Sequence, residues 1–136
     1  MAFKFEGLEV WQLAMEYIDL VYKLAEKLPH SEDFNLKSQI TRAATSIALN
    51  IAEGSTGQSD AEQNRFLGLA IRSLIETVAC LRLIKRRNYV LEEILSSIDA
   101  QAQTLARKLH SFRKTLKSGK ISEEPAAYIT NEDGEF

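Results

Sequence analysis

The chain predicts an all-α protein: an antiparallel, up-down-up-down four-helix bundle followed by a short polar tail. Three observations carry that expectation. Apolar residues recur at helical spacing in four successive segments. No run alternates apolar and polar residues with β-branched enrichment, so strand signals are lacking. Between Pro29 and Pro125 there is no proline to interrupt a helix. The connections are short, which sets neighbouring helices antiparallel.

The first helix is expected from about Leu8 to Leu28, where Trp11, Met15, Ile18, Tyr22 and Ala25 recur at steps of 4, 3, 4 and 3 before Pro29 ends it. The second runs from about Asn35 to Glu53. Its apolar wedge is Leu36, Ile40, Ala43, Ala44, Ile47 and Ile51, and Gly54 is placed to be a left-handed cap. The third starts at a capping box, Ser59-Asp-Ala-Glu62, and runs to Arg87, with Asn88 as the stop. It carries two adjacent stripes: Leu67, Ile71, Leu74, Val78 and Leu81 beside Phe66, Ala70, Ser73, Thr77, Cys80 and Ile84. The fourth runs from about Val90 to Lys117 through Leu91, Leu95, Ile98, Ala102, Leu105, Leu109, Phe112 and Leu116. Its average step near 3.5 suits left-handed bundle packing. Residues 1–117 are thus expected to form the bundle and 118–136 an acidic tail, with Pro125–Ile129 as one short apolar spot.

Composition narrows the function classes. At 136 residues with 45% hydrophobic side chains, the chain has enough apolar content for one packed core. One cysteine, Cys80, permits neither an intrachain disulfide nor a cysteine zinc cluster, and its place on the small-residue stripe makes it core. No signal peptide and no uncharged span of membrane length is evident, so a cytoplasmic protein without membrane contact is expected. Only two histidines, His30 and His110, are present, neither in a Glu-x-x-His pair. Both are read as surface residues, so no metal, cofactor or catalytic group is expected and the chain is not read as an enzyme.

The net charge of −2 argues against bulk attraction to nucleic acid, but the sum hides an uneven distribution. Residues 1–57 hold 5 basic and 8 acidic side chains, residues 58–89 hold 6 and 3, residues 90–117 hold 5 and 3, and residues 118–136 hold 1 and 5. Two basic clusters result. Arg82, Lys85, Arg86 and Arg87 close the third helix, and Arg107, Lys108, Arg113, Lys114 and Lys117 close the fourth. In an antiparallel bundle they lie at opposite ends. Cations in a last turn complement the helix dipole. The same residues are the candidates for phosphate contact with RNA. No exposed aromatic is interleaved, so base stacking is not advertised.

One local inconsistency stands out. Gln39, Arg42, Ser46, Asn50 and Glu53 form a polar stripe beside the apolar wedge of the second helix and not opposite it. Asn is a poor interior helix residue, and Glu at a C-terminus opposes the dipole. Partners across a helix–helix or subunit interface explain such a stripe. The turn near Gly57 brings Ser73, Glu76 and Arg65 level with it, so Arg42–Glu76 and Glu53–Arg65 contacts are expected. A ligand site at this stripe is the less favoured alternative.

Three blocks of the sequence, Phe5-Glu-Gly-Leu-Glu-Val-Trp-Gln12, Ser38-Gln-Ile-Thr-Arg-Ala-Ala-Thr-Ser-Ile-Ala-Leu-Asn-Ile-Ala-Glu-Gly54 and Arg65-Phe-Leu-Gly-Leu-Ala-Ile-Arg-Ser-Leu-Ile-Glu76, resemble the four-helix-bundle proteins encoded in intervening sequences of bacterial 23S rRNA genes, the so-called S23 family. The resemblance spans roughly residues 3–116. It implies a bacterial, cytoplasmic homopentamer, related to the accessory variability determinant proteins of diversity-generating retroelements, which bind nucleic acid. Surplus apolar residues independently suggest a second buried face: two stripes on the third helix, and Ala48, Leu49 and Ala52 outside the wedge of the second. The expected function is a non-enzymatic homo-oligomer that associates with RNA or a nucleoprotein. The alternative is a protein–protein adaptor without nucleic-acid binding.

Overall fold

The structure, a computed structural model, describes residues 3–57 and 59–117. Its helices are α1 (Glu9–Ala25), α2 (Leu36–Gly54), α3 (Asp60–Arg87) and α4 (Glu92–Lys117), with short 3-10 turns at Lys4–Gly7 and His30–Glu32. Helices consecutive in sequence pack side by side, and α1 against α4 closes the ring. This is the up-down-up-down bundle, and no strand occurs among the described residues. The acidic tail and its Pro125–Ile129 spot lie outside the described residues.

The wedge of α2 is buried as its periodicity requires, and so is that of α4 except at Leu91. Leu91 precedes the helix, which begins at Glu92, and it is exposed. On α1 the buried face differs from the expected one. Val10, Ala14, Tyr17, Val21 and Leu24 turn inward, and the stripe read from sequence lies one residue further round. Both sets repeat at steps of 4 and 3, so periodicity alone left the choice open. Tertiary packing favours the set with Ala14 and Tyr17, because the Tyr17 hydroxyl finds a partner inside. Thr77 Oγ1 donates to the Leu74 carbonyl at 2.6 Å, so the Tyr17 hydroxyl, 2.8 Å away, donates to Thr77. Burial pushes the Tyr17 phenol up to about 12, which keeps it protonated as the donor. Of the expected stripe, Ala25 is buried and Trp11 and Ile18 pack partly buried against the core, while Met15 is 43% and Tyr22 47% exposed. On α3 both stripes are largely consumed by the bundle itself, since Ala70, Thr77, Cys80 and Ile84 are buried along with Leu67, Ile71, Leu74 and Leu81. The width of the α3 stripe therefore reflects its place between α2 and α4 and not a second interface.

The turns follow local chemistry. Ser59 caps α3 by accepting from the Glu62 N–H at 3.0 Å. The reciprocal half of the capping box is replaced: the Glu62 carboxylate meets Arg65 at 3.4 Å. Asn88 ends α3 in the left-handed region, at φ 59°. Gly54 does not cap α2 in that way. It is the last helical residue, and the left-handed backbone of the connection is at Gly57, φ 90°. The demand for glycine at position 54 comes from packing, because a Cβ there would stand 2.9 Å from Phe66 Cβ and 3.4 Å from the Gln63 carbonyl oxygen.

Gly54→Ala is therefore expected to destabilise the fold although alanine is the better helix former. Overpacking against a neighbouring backbone costs about 1–3 kcal/mol, against ~1 kcal/mol of helix propensity regained. Urea unfolding should show a lower midpoint, and an unchanged or raised midpoint would contradict the close α2–α3 approach.

Candidate functional site

The polar stripe of α2 lies along its outer edge and is stitched mainly to itself. Arg42 Nη2 donates to Ser38 Oγ at 2.9 Å. Gln39 Nε2 donates to Asn35 Oδ1 at 3.4 Å. Asn50 Nδ2 donates to the Ser46 carbonyl at 2.9 Å and to Ser46 Oγ at 3.1 Å. One bond crosses to α3, from the Ser73 hydroxyl to Ser46 Oγ at 2.9 Å. The expected Arg42–Glu76 and Glu53–Arg65 contacts are not formed. Arg65 pairs instead with Glu62 one turn away and lays its guanidinium over the Phe66 ring at 4.5 Å. The helices approach closely enough for two serine hydroxyls to meet, so long charged arms rooted at the same level project outward past one another. Gln39, Arg42, Glu53, Arg65 and Glu76 are all exposed.

Two shallow grooves flank this edge, each of about 460 Å³. The one between α1 and α2 contains Tyr22, Thr41, Thr45 and Leu49, and the Tyr22 and Thr45 hydroxyls are hydrogen-bonded at 3.0 Å. The one between α2 and α3 contains Phe34, Gln39, Ser73 and Glu76. Ser38, Arg42 and Ser46 border both and form the ridge between them.

The two basic clusters do lie at opposite ends, and the structure sorts their members. At the end of α3, Arg82 pairs with Asp99 at 2.9 Å and Lys85 with Glu92 at 3.3 Å, both across to α4. Exposed pairs of this kind are worth under ~1 kcal/mol, but each sets an acid beside the cation a polyanion would seek. Arg86 and Arg87 stay exposed beyond them. On α4, Lys108 is buried with its amine 3.8 Å from Glu9 of α1, and it is the member least open to an outside phosphate. Arg107 Nη2 donates to Thr104 at 3.4 Å. Arg113 crosses to α3, where its Nε donates to Asn64 Oδ1 at 2.8 Å. It lines a groove of about 420 Å³ with His110, Lys114 and Lys117. His110 is half-buried there, unlike the surface histidine expected. His30 is exposed beside Asp33, at 3.3 Å.

A carboxylate that sequence reasoning passed over joins two loops. Buried Glu32 accepts from Tyr89 at 2.8 Å, from Asn35 Nδ2 at 3.0 Å and from the Leu36 N–H at 3.3 Å. It thereby caps α2 and ties the α1–α2 connection to the α3–α4 connection. The Tyr89 hydrogen bond, with help from the Leu36 and Asn35 donors, holds its carboxyl below the ordinary value. The same bond pushes the Tyr89 phenol up. An acid four residues before the first residue of α2 was the available signal. Asn64 and Gly68, which seat Arg113, were signalled by a glycine inside an otherwise regular helix.

Among the described residues, no three His, Cys, Asp or Glu side chains gather as a metal site. Cys80 is a buried thiol whose pKa burial raises, the reverse of nucleophile activation. No helix among them is long and apolar enough to cross a membrane. The described residues thus form a four-helix bundle whose surface carries shallow grooves and unevenly distributed charge. Residues 6–111 match the model of the 23S rRNA-intervening sequence protein family, and the chain belongs to that family. It is also similar to a solved protein of unknown function from the S23 ribosomal protein family of Bacteroides thetaiotaomicron VPI-5482. The two share 30% identity with a TM-score of 0.72, over 78% of this chain and 99% of the other. No curated protein matches the chain.

The depressed Glu32 carboxyl makes a signed prediction. Its contribution is present above the unfolded value near 4.5 and is lost as pH falls through the lower folded value. Glu32→Gln should flatten the acid limb of the stability–pH curve below about pH 4.5. Chemical unfolding across that range checks it, and an acid limb as steep as wild type would assign the loss to other carboxylates.

Proposed function

We propose that this chain is a non-enzymatic, self-assembling bundle of the bacterial cytoplasm, whose subunits meet over the outer edge of α2. The observation that supports this is the ridge of Ser38, Arg42 and Ser46 between two grooves. A ridge with a groove on either side is the shape that receives another helix. The apolar side chains beside it have no cover among the described residues. Leu49 is 62% exposed and Phe34 98% exposed, and Tyr22 stands at the rim. Arg42 and Glu76 border one groove without pairing, so that face offers both signs of charge to another copy. Self-association uses such a face best, because a closed ring repeats the same contact at every subunit. The family resemblance supplies the expected number, five.

A second component is association with RNA or a nucleoprotein. It is favoured by the gathering of exposed cations at the two ends of the bundle, Arg86 and Arg87 at one and Lys114 and Lys117 at the other. An adaptor role without nucleic acid would leave those cations without a task.

Light scattering tests the assembly. A particle several times the 15.3 kDa of the chain is expected, and Leu49→Glu should return it to a single subunit with helix content unchanged. A wild-type mass of one chain defeats the proposal. An intact assembly in the variant would move the interface away from α2.

A further inference from the structure

We infer that the contact between copies is heterologous and that its second surface is the outer row of α3: Ile75, Ala79 and Leu83 of one copy seat in the α1–α2 groove of the next. The inference rests on the self-assembly proposed above, and it names the surface that the α2 edge receives.

α3 turns two apolar stripes to the bundle, yet a third row stays outside. Arg72, Ile75, Ala79, Leu83 and Arg86 follow one another at steps of 3, 4, 4 and 3, and all five are exposed. Residues four apart, as Ile75, Ala79 and Leu83 are, form the kind of ridge that a groove on another helix pair accepts. The row is a poor partner for itself. A two-fold contact would set Arg72 against Arg86, or each against its own copy, and like charges repel. The α1–α2 groove, of about 460 Å³, offers it the exposed Tyr22 and Leu49 instead.

Register sets the two surfaces at one height. Counted antiparallel from the Ser73–Ser46 hydrogen bond, Ile75 is level with Ala44 and Leu83 with Leu36. The Tyr22–Thr45 bond puts Tyr22 at the height of Ile75 to within one residue. A rotation about an axis along the bundle leaves heights unchanged. The row of one copy therefore arrives opposite the groove of the next without sliding. Direction suits as well. The four helices pack in the cyclic order α1, α2, α3, α4. In a square bundle of that order the α2 edge with its groove and the α3 row point roughly 90–135° apart, which closes a ring of about four to eight copies and not a filament.

Charge matches the same placement. The shorter way round from groove to row passes α2, so closure turns α2 toward the ring axis. On that inner side Glu76 of one copy comes level with Arg42 of the next, to within one residue. Toward α1, Arg72 at the end of the row comes level with Asp19. All four side chains are exposed. The Arg42–Glu76 pair that is not made within one chain is then made between two.

Light scattering on full-length chains tests this through two blocked variants. Ile75→Glu blocks the row and keeps the groove, and Leu49→Glu blocks the groove and keeps the row. Each alone should fall from the wild-type assembly to one chain of 15.3 kDa. Mixed one to one, they hold one intact row and one intact groove between them, and they should form a two-chain particle and nothing larger. Leu83→Glu should behave as Ile75→Glu does, and circular dichroism with unchanged helix content checks that each variant folds. Arg42→Glu and Glu76→Arg should each weaken assembly, and both together on one chain should restore it. If Ile75→Glu and Leu83→Glu leave the assembly intact, the α3 row is overturned while the α2 reading stands. A mixture of the folded blocked variants that stays at one chain overturns the heterologous contact. A wild type of one chain fails the self-assembly reading itself.

Discussion

The close approach of α2 to α3 is the constraint on which the remaining structure depends. Gly54 admits Phe66 where a Cβ would collide, and farther along two serine hydroxyls meet at 2.9 Å. Only short side chains fit between backbones at that separation. The longer members of the polar stripe are therefore forced to the outer edge. Arg42 turns to Ser38 on its own helix, and Glu76 stays in solvent on the other bank. Tight packing inside thus produces the grooved, mixed-charge surface outside. The surface is a consequence of the core and not a separate feature laid over it.

Charge obeys the same geometry. Antiparallel neighbours bring the basic end of α3 beside the acidic start of α4, and Arg82 and Lys85 find Asp99 and Glu92 there. The basic end of α4 faces the capped start of α3, where Glu62 already serves Arg65 and the uncharged Asn64 receives Arg113. The two basic ends thus differ in surroundings: one packs beside the acids of α4, and the other sends Arg113 across to an uncharged amide on α3. A net charge of −2 describes neither end.

Much of the fold was legible because periodicity reports burial directly. The α2 wedge and nearly all of the α4 stripe are core. The α1 stripe was misplaced by one residue because α1 is apolar around much of its circumference. The Tyr17–Thr77 hydrogen bond chose the buried set, and its partner lies 60 residues away. The polar stripe was legible as an anomaly, yet its pairings were not. Register places two residues at one level, but side-chain reach and the separation of the helices decide whether they touch. The Glu32–Tyr89 bond went unseen for a related reason: it joins two connections 57 residues apart, and an acid just before α2 signals a cap without naming its distant partner.

The sequence by itself determined the helices, the Ser59 and Asn88 ends of α3, the antiparallel order, the family and the two clusters of cations. Each of these is a short-range property of backbone preference, hydrophobic spacing or residue identity along the chain. Tertiary structure alone decided which face of α1 is core, which cations are spent on internal acids, and that Arg113 reaches across to Asn64 of α3. Those outcomes depend on distances of a few ångströms between residues far apart in sequence. Such distances exist only once the backbones have packed.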